Sequence, residues 1–211
     1  MTSKRIFFPC GDLRLEGELS LPEGKTPFPV VVICHPHPLY GGDMDNNVVM
    51  AICSALAKDS IAALRFNFRG VGNSGGKYNE GIGEQEDVRA ALDFISQLPE
   101  IDNKRIGLVG YSFGGLMALS VAIGDSRVKQ LALISPALKE KGWNQFKAYK
   151  MPKLVLIGDA DNMVPFRSFQ HLFGETRQYQ IIAGADHFWI GNELEISARI
   201  GRFFHEGFLQ K

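Results

Sequence analysis

The chain has 211 residues, with 23 Lys and Arg set against 23 Asp and Glu for a net charge of zero, 45% hydrophobic and 22% charged. This balance supplies neither a basic field for nucleic acid nor a cationic amphipathic segment for a membrane surface, and no apolar run reaches the length of a signal peptide or a membrane span. The length suits one sizeable core, so the expectation is a single domain over residues 1–211, working in the cytoplasm. Three cysteines, Cys10, Cys34 and Cys53, form no C-x-x-C pair and read as reduced packing residues.

In chain order, residues 6–8 and 13–21 alternate as a β-hairpin does, with Cys10-Gly-Asp as its turn. Residues 30–34 are continuously apolar, as in a strand buried on both faces, and end in His35-Pro-His37-Pro-Leu39-Tyr40. Asp45 or Asn46 can cap a helix carrying Val48, Ile52, Ala55 and Leu56 on one face to about Lys58. A strand over 61–68 runs into a Gly-rich loop, and a helix over 84–98 follows with acids in its first turn. Residues 106–109 read as a strand and 113–123 as a buried helix. Beyond them come a strand at 130–134, an irregular link over 135–152, a strand at 153–157, a helix at 166–173, a strand at 178–182 and a closing helix at 193–208. Strands alternating with helices after an antiparallel start predict a mostly parallel sheet with helices on both faces, and ligands in such sheets bind beyond the carboxyl ends of the strands.

Gly110-Tyr-Ser112-Phe-Gly114, with a strand before it and a helix after it, fits the Gly-x-Ser-x-Gly nucleophile elbow, in which a strained turn exposes the serine hydroxyl. A serine needs a base, and the base needs a partner that fixes its tautomer. The ends of the next strands supply both types: Gly158-Asp159-Ala-Asp161, then Asp186-His187-Phe188-Trp189.

With these residues in the order Ser, Asp, His, the chain resembles the α/β-hydrolase superfamily along nearly its whole length. Gly158-x-x-Asp161 looks like the family's acid loop, Asp186-His187 like its histidine loop, and Arg69-Gly-Val-Gly-Asn-Ser74 is similar to its Arg-Gly-x-Gly-x-Ser loop. His35-Pro-His-Pro and Arg65-Phe-Asn-Phe-Arg-Gly-Val-Gly72 look more particularly like a small, lidless bacterial branch near the dienelactone hydrolases. The resemblance implies an α/β-hydrolase fold with Ser112 as nucleophile, His187 as base and Asp161 as its partner. Asp159 competes for the acid role, and spacing from Gly158 favours Asp161. Two departures stand out. Dienelactone hydrolases use a cysteine nucleophile where this chain has Ser112, so lactone specificity does not carry over. Many members also have Asp-x-Arg-Gly where this chain has Asn67.

An oxyanion hole needs two backbone N–H groups, one from the residue after the nucleophile, here Phe113. Pro36 and Pro38 have none to offer, leaving His35 and His37 for the second, and the family's His-Gly-x pattern points to His37. The implied activity is cleavage of small carboxylic esters through an acyl-enzyme, with thioesters, lactones or amides as alternatives on the same residues. No metal or organic cofactor is called for, and the partner is a small ester-like molecule. The oligomeric state is open. A binding module on a hydrolase fold is a rival of another class.

Other patterns compete less well. His35-x-His37 with Asp43 and Asp45 could be a metal cluster, but two prolines and a capping role account for the same residues. Gly70-x-Gly72-x-x-Gly75 mimics a dinucleotide fingerprint without opening directly into a helix. The 135–152 link is too short for a lid domain, since about 40 residues is near the limit for an independently stable unit. The expected site is therefore an open groove lined by Leu39, Tyr40, Trp143, Phe146, Phe188 and Trp189.

Overall fold

The computed structural model describes residues 2–164 and 178–210. The N-terminal hairpin pairs β1 (Thr2–Cys10) with β2 (Leu13–Leu21), and Gly11 takes a positive φ of 56° at the turn. Then come β3 (Phe28–Cys34), α1 (Asn47–Lys58), β4 (Ala62–Phe66), α2 (Ile82–Ser96) and β5 (Ile101–Tyr111). The remaining elements are α3 (Phe113–Ala122), β6 (Val128–Ile134), α4 (Glu140–Ala148), β7 (Lys153–Gly158), β8 (Tyr179–Ile182) and α5 (Glu193–Phe208). The helix expected over 166–173 lies outside the described residues. The strands form one eight-stranded sheet in the order β1-β2-β4-β3-β5-β6-β7-β8. Pairing is antiparallel from β1 to β4 and parallel from there on.

Period-2 alternation in β3 explains the two-layer core. Val30 and Val32 join Val88, Leu92, Ala118 and Leu119 under α2 and α3, while Val31 and Ile33 join Val48, Ile52, Ile196, Ile200 and Phe204 under α1 and α5. Each fully buried large aliphatic side chain contributes about 1.5–3 kcal/mol of transfer free energy. At the start of α1 the side chain of Asn46, rather than Asp45, accepts from Val48 N at 3.0 Å. Helix α2 begins two residues earlier than the periodicity suggested, because buried Glu84 accepts from Gly81 N (2.7 Å) and Asn79 N (2.8 Å) and closes a capping box.

The link expected to be irregular contains helix α4. Its buried face is narrow, since only Gly142, Trp143 and Phe146 are buried along nine residues. Trp143 and Phe146 are both fully buried in the core layer under α2 and α3, so neither lines a groove, contrary to expectation. An i, i+3 pair of aromatics is as able to anchor a short helix to a sheet as to wall a site. Among the described residues no helix is long and apolar enough to cross a membrane.

Candidate active site

Ser112 occupies the sharp turn between β5 and α3 with φ 53° and ψ −116°, a conformation that costs a non-glycine residue about 1–3 kcal/mol. Backbone bonds hold the turn: Ser112 N donates to Ile134 O at 2.9 Å, and Ala137 N to Ser112 O at 3.0 Å. The flanking glycines are sterically required. A Cβ on Gly110 would overlap the Gly114 carbonyl, and one on Gly114 would overlap the carbonyls of Cys34 and His35, where α3 abuts the end of β3.

The ends of β7 and β8 bring two further groups to this turn. His187 Nε2 lies 3.0 Å from Ser112 Oγ, and His187 Nδ1 lies 2.9 Å from Asp161 Oδ2 and 3.1 Å from its Oδ1. A carboxylate can only accept, so Nδ1 carries the imidazole proton and Nε2 is the acceptor facing the serine hydroxyl. Asp161 is buried. Burial works against its ionisation, yet the bonds from His187, Ser135 and Val164 N together hold its carboxyl below the usual aspartate value. Met163 N and Val164 N both donate to its Oδ1 at 2.9 Å. Asp159, the rival acid, instead accepts from Gly184 N at 2.7 Å and ties the acid loop to the histidine loop. Asp186 turns its carboxylate onto Phe188 N and Trp189 N, shaping the bend beyond the histidine.

The loop after β3 reaches the other side of Ser112. His37 caps a short 3₁₀ turn over Pro38–Tyr40, accepting from Leu39 N at 3.2 Å, and its ring packs 4.8 Å from that of Phe113. His37 and Phe113, the residue after Ser112, are thus neighbours. Tyr78, which the sequence did not single out, packs on both, 5.0 Å from His37 and 6.0 Å from Phe113. His35 is architectural: Phe68 N donates to its Nε2 at 3.0 Å, and its Nδ1 meets Pro36 O at 2.6 Å. With both nitrogens engaged it cannot chelate, and among the described residues no group of three His, Cys, Asp or Glu is placed to hold a metal.

Burial pushes the His35 imidazole from 6.5 down to about 4. The unfolded chain therefore takes up a proton between these values that the native state refuses. The stability linked to neutral His35 is whole above about pH 6.5 and lost progressively toward pH 4, on the order of 3 kcal/mol. Denaturant midpoints measured across this range should fall with pH. In His35→Gln, whose longer side chain can place an acceptor where Nε2 meets Phe68 N, the fall should be shallower.

The Gly-rich loop after β4 is pinned from beneath. Arg69 donates through Nε (3.0 Å) and Nη2 (2.7 Å) to Asp87 Oδ1, and its backbone N donates to Oδ2 at 2.9 Å. Asn67 has its own logic: its amide donates to Glu16 Oε2 at 2.9 Å while its carbonyl accepts from Met44 N at 2.9 Å. An aspartate could make only the second bond and would face the Glu16 carboxylate.

Of the residues expected to line the groove, Leu39, Tyr40 and Phe188 are exposed. Trp189 is fully buried in the core layer under α1 and α5, so it is not part of an open wall. The direction of its side chain follows from a positive φ of 61°, which no local sequence signal announced. Two further residues at the site escaped the sequence reading. Tyr111 donates its hydroxyl to His187 O at 2.6 Å, and Ser135 accepts from Trp189 Nε1 at 3.0 Å. Each is a polar side chain at the carboxyl end of a buried strand, and that placement is the signal that could have found them.

A mostly parallel sheet with an antiparallel lead-in, helices on both faces and a strained serine turn at its centre defines the α/β-hydrolase fold. The dienelactone hydrolase family model matches residues 76–189. The uncharacterized protein RP471 of Rickettsia prowazekii is 31% identical, over 94% of this chain and 87% of that protein. Among solved structures, an α/β serine hydrolase homologue from Coxiella burnetii is 34% identical with a TM-score of 0.85, covering 96% of this chain and 97% of its own. XC6422 from Xanthomonas campestris, described as a serine hydrolase without a lid, is 28% identical with a TM-score of 0.80, covering 98% of this chain and 95% of its own. The chain belongs to the dienelactone hydrolase family and is a hydrolase of the α/β serine type.

Proposed function

We propose that the protein cleaves carboxylic esters of small or exposed substrates through an acyl-enzyme on Ser112. The observation that carries this reading is the continuous hydrogen-bonded line from Ser112 Oγ through His187 to Asp161. Ser112 Oγ attacks the ester carbonyl carbon as its proton passes to His187 Nε2, and the carbonyl electron pair moves onto oxygen. Phe113 N–H and His37 N–H are the donors assigned to that oxyanion, with the positive end of the α3 dipole behind it. Collapse expels the alcohol, which takes the proton from His187. Water then repeats the sequence to free the acid and restore Ser112. Asp161 stays ionised throughout and stabilises the imidazolium. Every group the reaction requires belongs to the chain, so the reading calls for no metal or organic cofactor, and residues 1–211 act as one unit.

The substrate preference follows from the walls. With Trp143, Phe146 and Trp189 buried, the apolar surface left from the expected lining is Leu39, Tyr40 and Phe188, all open to solvent. Each methylene of an acyl chain is worth about 0.8 kcal/mol only while there is wall to bury it. In a series of p-nitrophenyl esters, kcat/KM should rise from acetate to about butyrate or hexanoate and then fall, without interfacial activation. A rate still climbing at palmitate would overturn the open-groove reading.

A further inference from the structure

We propose that Tyr78 is a positioning residue for the oxyanion loop, fixing the His37 imidazole and through it the His37 peptide, an inference that rests on the ester-hydrolase reading above. The loop is tied to itself at three points. His37 O accepts from Tyr40 N and from Gly42 N, both at 3.1 Å, and His37 Nδ1 accepts from Leu39 N at 3.2 Å. The closure is tight, because a Cβ on Gly42 would overlap the Pro36 carbonyl. Two of the three bonds belong to the backbone. The third depends on an imidazole that can rotate and exchange tautomers. A backbone N–H can only donate, so Nδ1 carries no proton and Nε2 must carry it. Tyr78 Oη lies 3.3 Å from that Nε2 and is therefore the acceptor. A proton on Nδ1 would instead face the Leu39 N–H, donor against donor, and the cap would be lost.

The ring of Tyr78 adds a second restraint. Its centroid lies 5.0 Å from that of His37, and Tyr40 and Phe113 also pack on the imidazole, at 4.7 Å and 4.8 Å. Among the described residues, Tyr78 alone of the three also hydrogen-bonds that ring. Tyr78 is itself anchored through both chain neighbours. Asn79 N donates to buried Glu84 at 2.8 Å, and a Cβ on Gly70 would press on Lys77 Cα at 2.9 Å. Gly70 in turn follows Arg69, which Asp87 pins. The contacts run from the Arg69–Asp87 pair through the Gly-rich loop to the imidazole, and they give that loop a part in holding the oxyanion donor.

The experiment measures kcat and KM on a short p-nitrophenyl ester for Tyr78→Phe in three backgrounds, the wild type, His37→Ala and His37→Asn, with melting curves to confirm folding. Phenylalanine keeps the ring and removes only the hydroxyl. Tyr78→Phe should lower kcat about 3- to 10-fold with KM within about twofold, a fraction of the roughly 10²-fold that losing an oxyanion donor costs. His37→Ala keeps the peptide N–H but loses the imidazole, so it should cost about tenfold or more, and Tyr78→Phe should add nothing to it. Asparagine sets its Oδ1 where Nδ1 stands and accepts from the N–H two residues on without help. His37→Asn should therefore keep kcat within about threefold of the wild type and be indifferent to Tyr78→Phe. The Leu39 amide gives a readout independent of turnover: its hydrogen exchange, followed by NMR, should quicken in Tyr78→Phe and not in His37→Asn. A Tyr78→Phe loss of equal size in all three backgrounds, a loss confined to KM, or a wild-type kcat or Leu39 exchange rate in Tyr78→Phe would overturn the assignment. Unchanged turnover in Ser112→Ala would instead remove the ester-hydrolase reading, and the Leu39 exchange rates would still decide whether Tyr78 holds the loop.

Discussion

Ser112→Ala is expected to lower kcat toward a short p-nitrophenyl ester by roughly 10⁴- to 10⁶-fold while leaving the fold intact. The size of the loss follows from the geometry. Ser112 Oγ is the atom 3.0 Å from His187 Nε2, and without it the imidazole has no nucleophile to deprotonate. The residual rate would come from binding and oxyanion donors acting on water. Alanine at φ 53° keeps the backbone strain of the elbow but adds none, so melting temperatures should stay close to the wild type. A fluorophosphonate probe supplies an independent readout, because it reports an activated serine without any choice of substrate. The wild type should be labelled and Ser112→Ala should not. A folded wild-type protein that resists labelling would favour the binding-module reading, and unchanged turnover in the variant would remove Ser112 from the chemistry.

The second large effect concerns the acid. Asp161→Asn should reduce kcat by about 10⁴-fold, because an amide can present its NH₂ to Nδ1 and so select the tautomer whose proton sits on Nε2, facing the nucleophile. Nothing comparable is expected of Asp159→Asn. Asp159 accepts from Gly184 N, and an asparagine carbonyl accepts that bond equally well, so its loss should stay within about tenfold. Should Asp159→Asn prove the more damaging of the two, the acid assignment would be reversed.

How much of this was legible in the chain depended on how local each signal is. The sheet's central strands could be read directly, because a strand buried on both faces has nowhere to place a polar residue and so declares itself as an unbroken apolar run, as Val30-Val-Val-Ile-Cys34 does. The elbow could be read because its glycines answer to clashes within a few residues, and Gly110 against Gly114 is such a clash. The order Ser112, Asp161, His187 was visible as three strand ends. Their meeting was not, since a distance of 3 Å between residues 75 positions apart depends on the parallel order β5-β6-β7-β8. Burial of aromatics was the least legible feature. Trp143 and Phe146 lie on the core side of a nine-residue helix, and Trp189 turns inward through a positive φ, whereas Leu39, Tyr40 and Phe188 remain outside. Composition gives all six the same apolar character. The free energy that sorts them comes from the area each can remove from water once α1, α4 and α5 are seated on the sheet, and that area exists only in the tertiary structure.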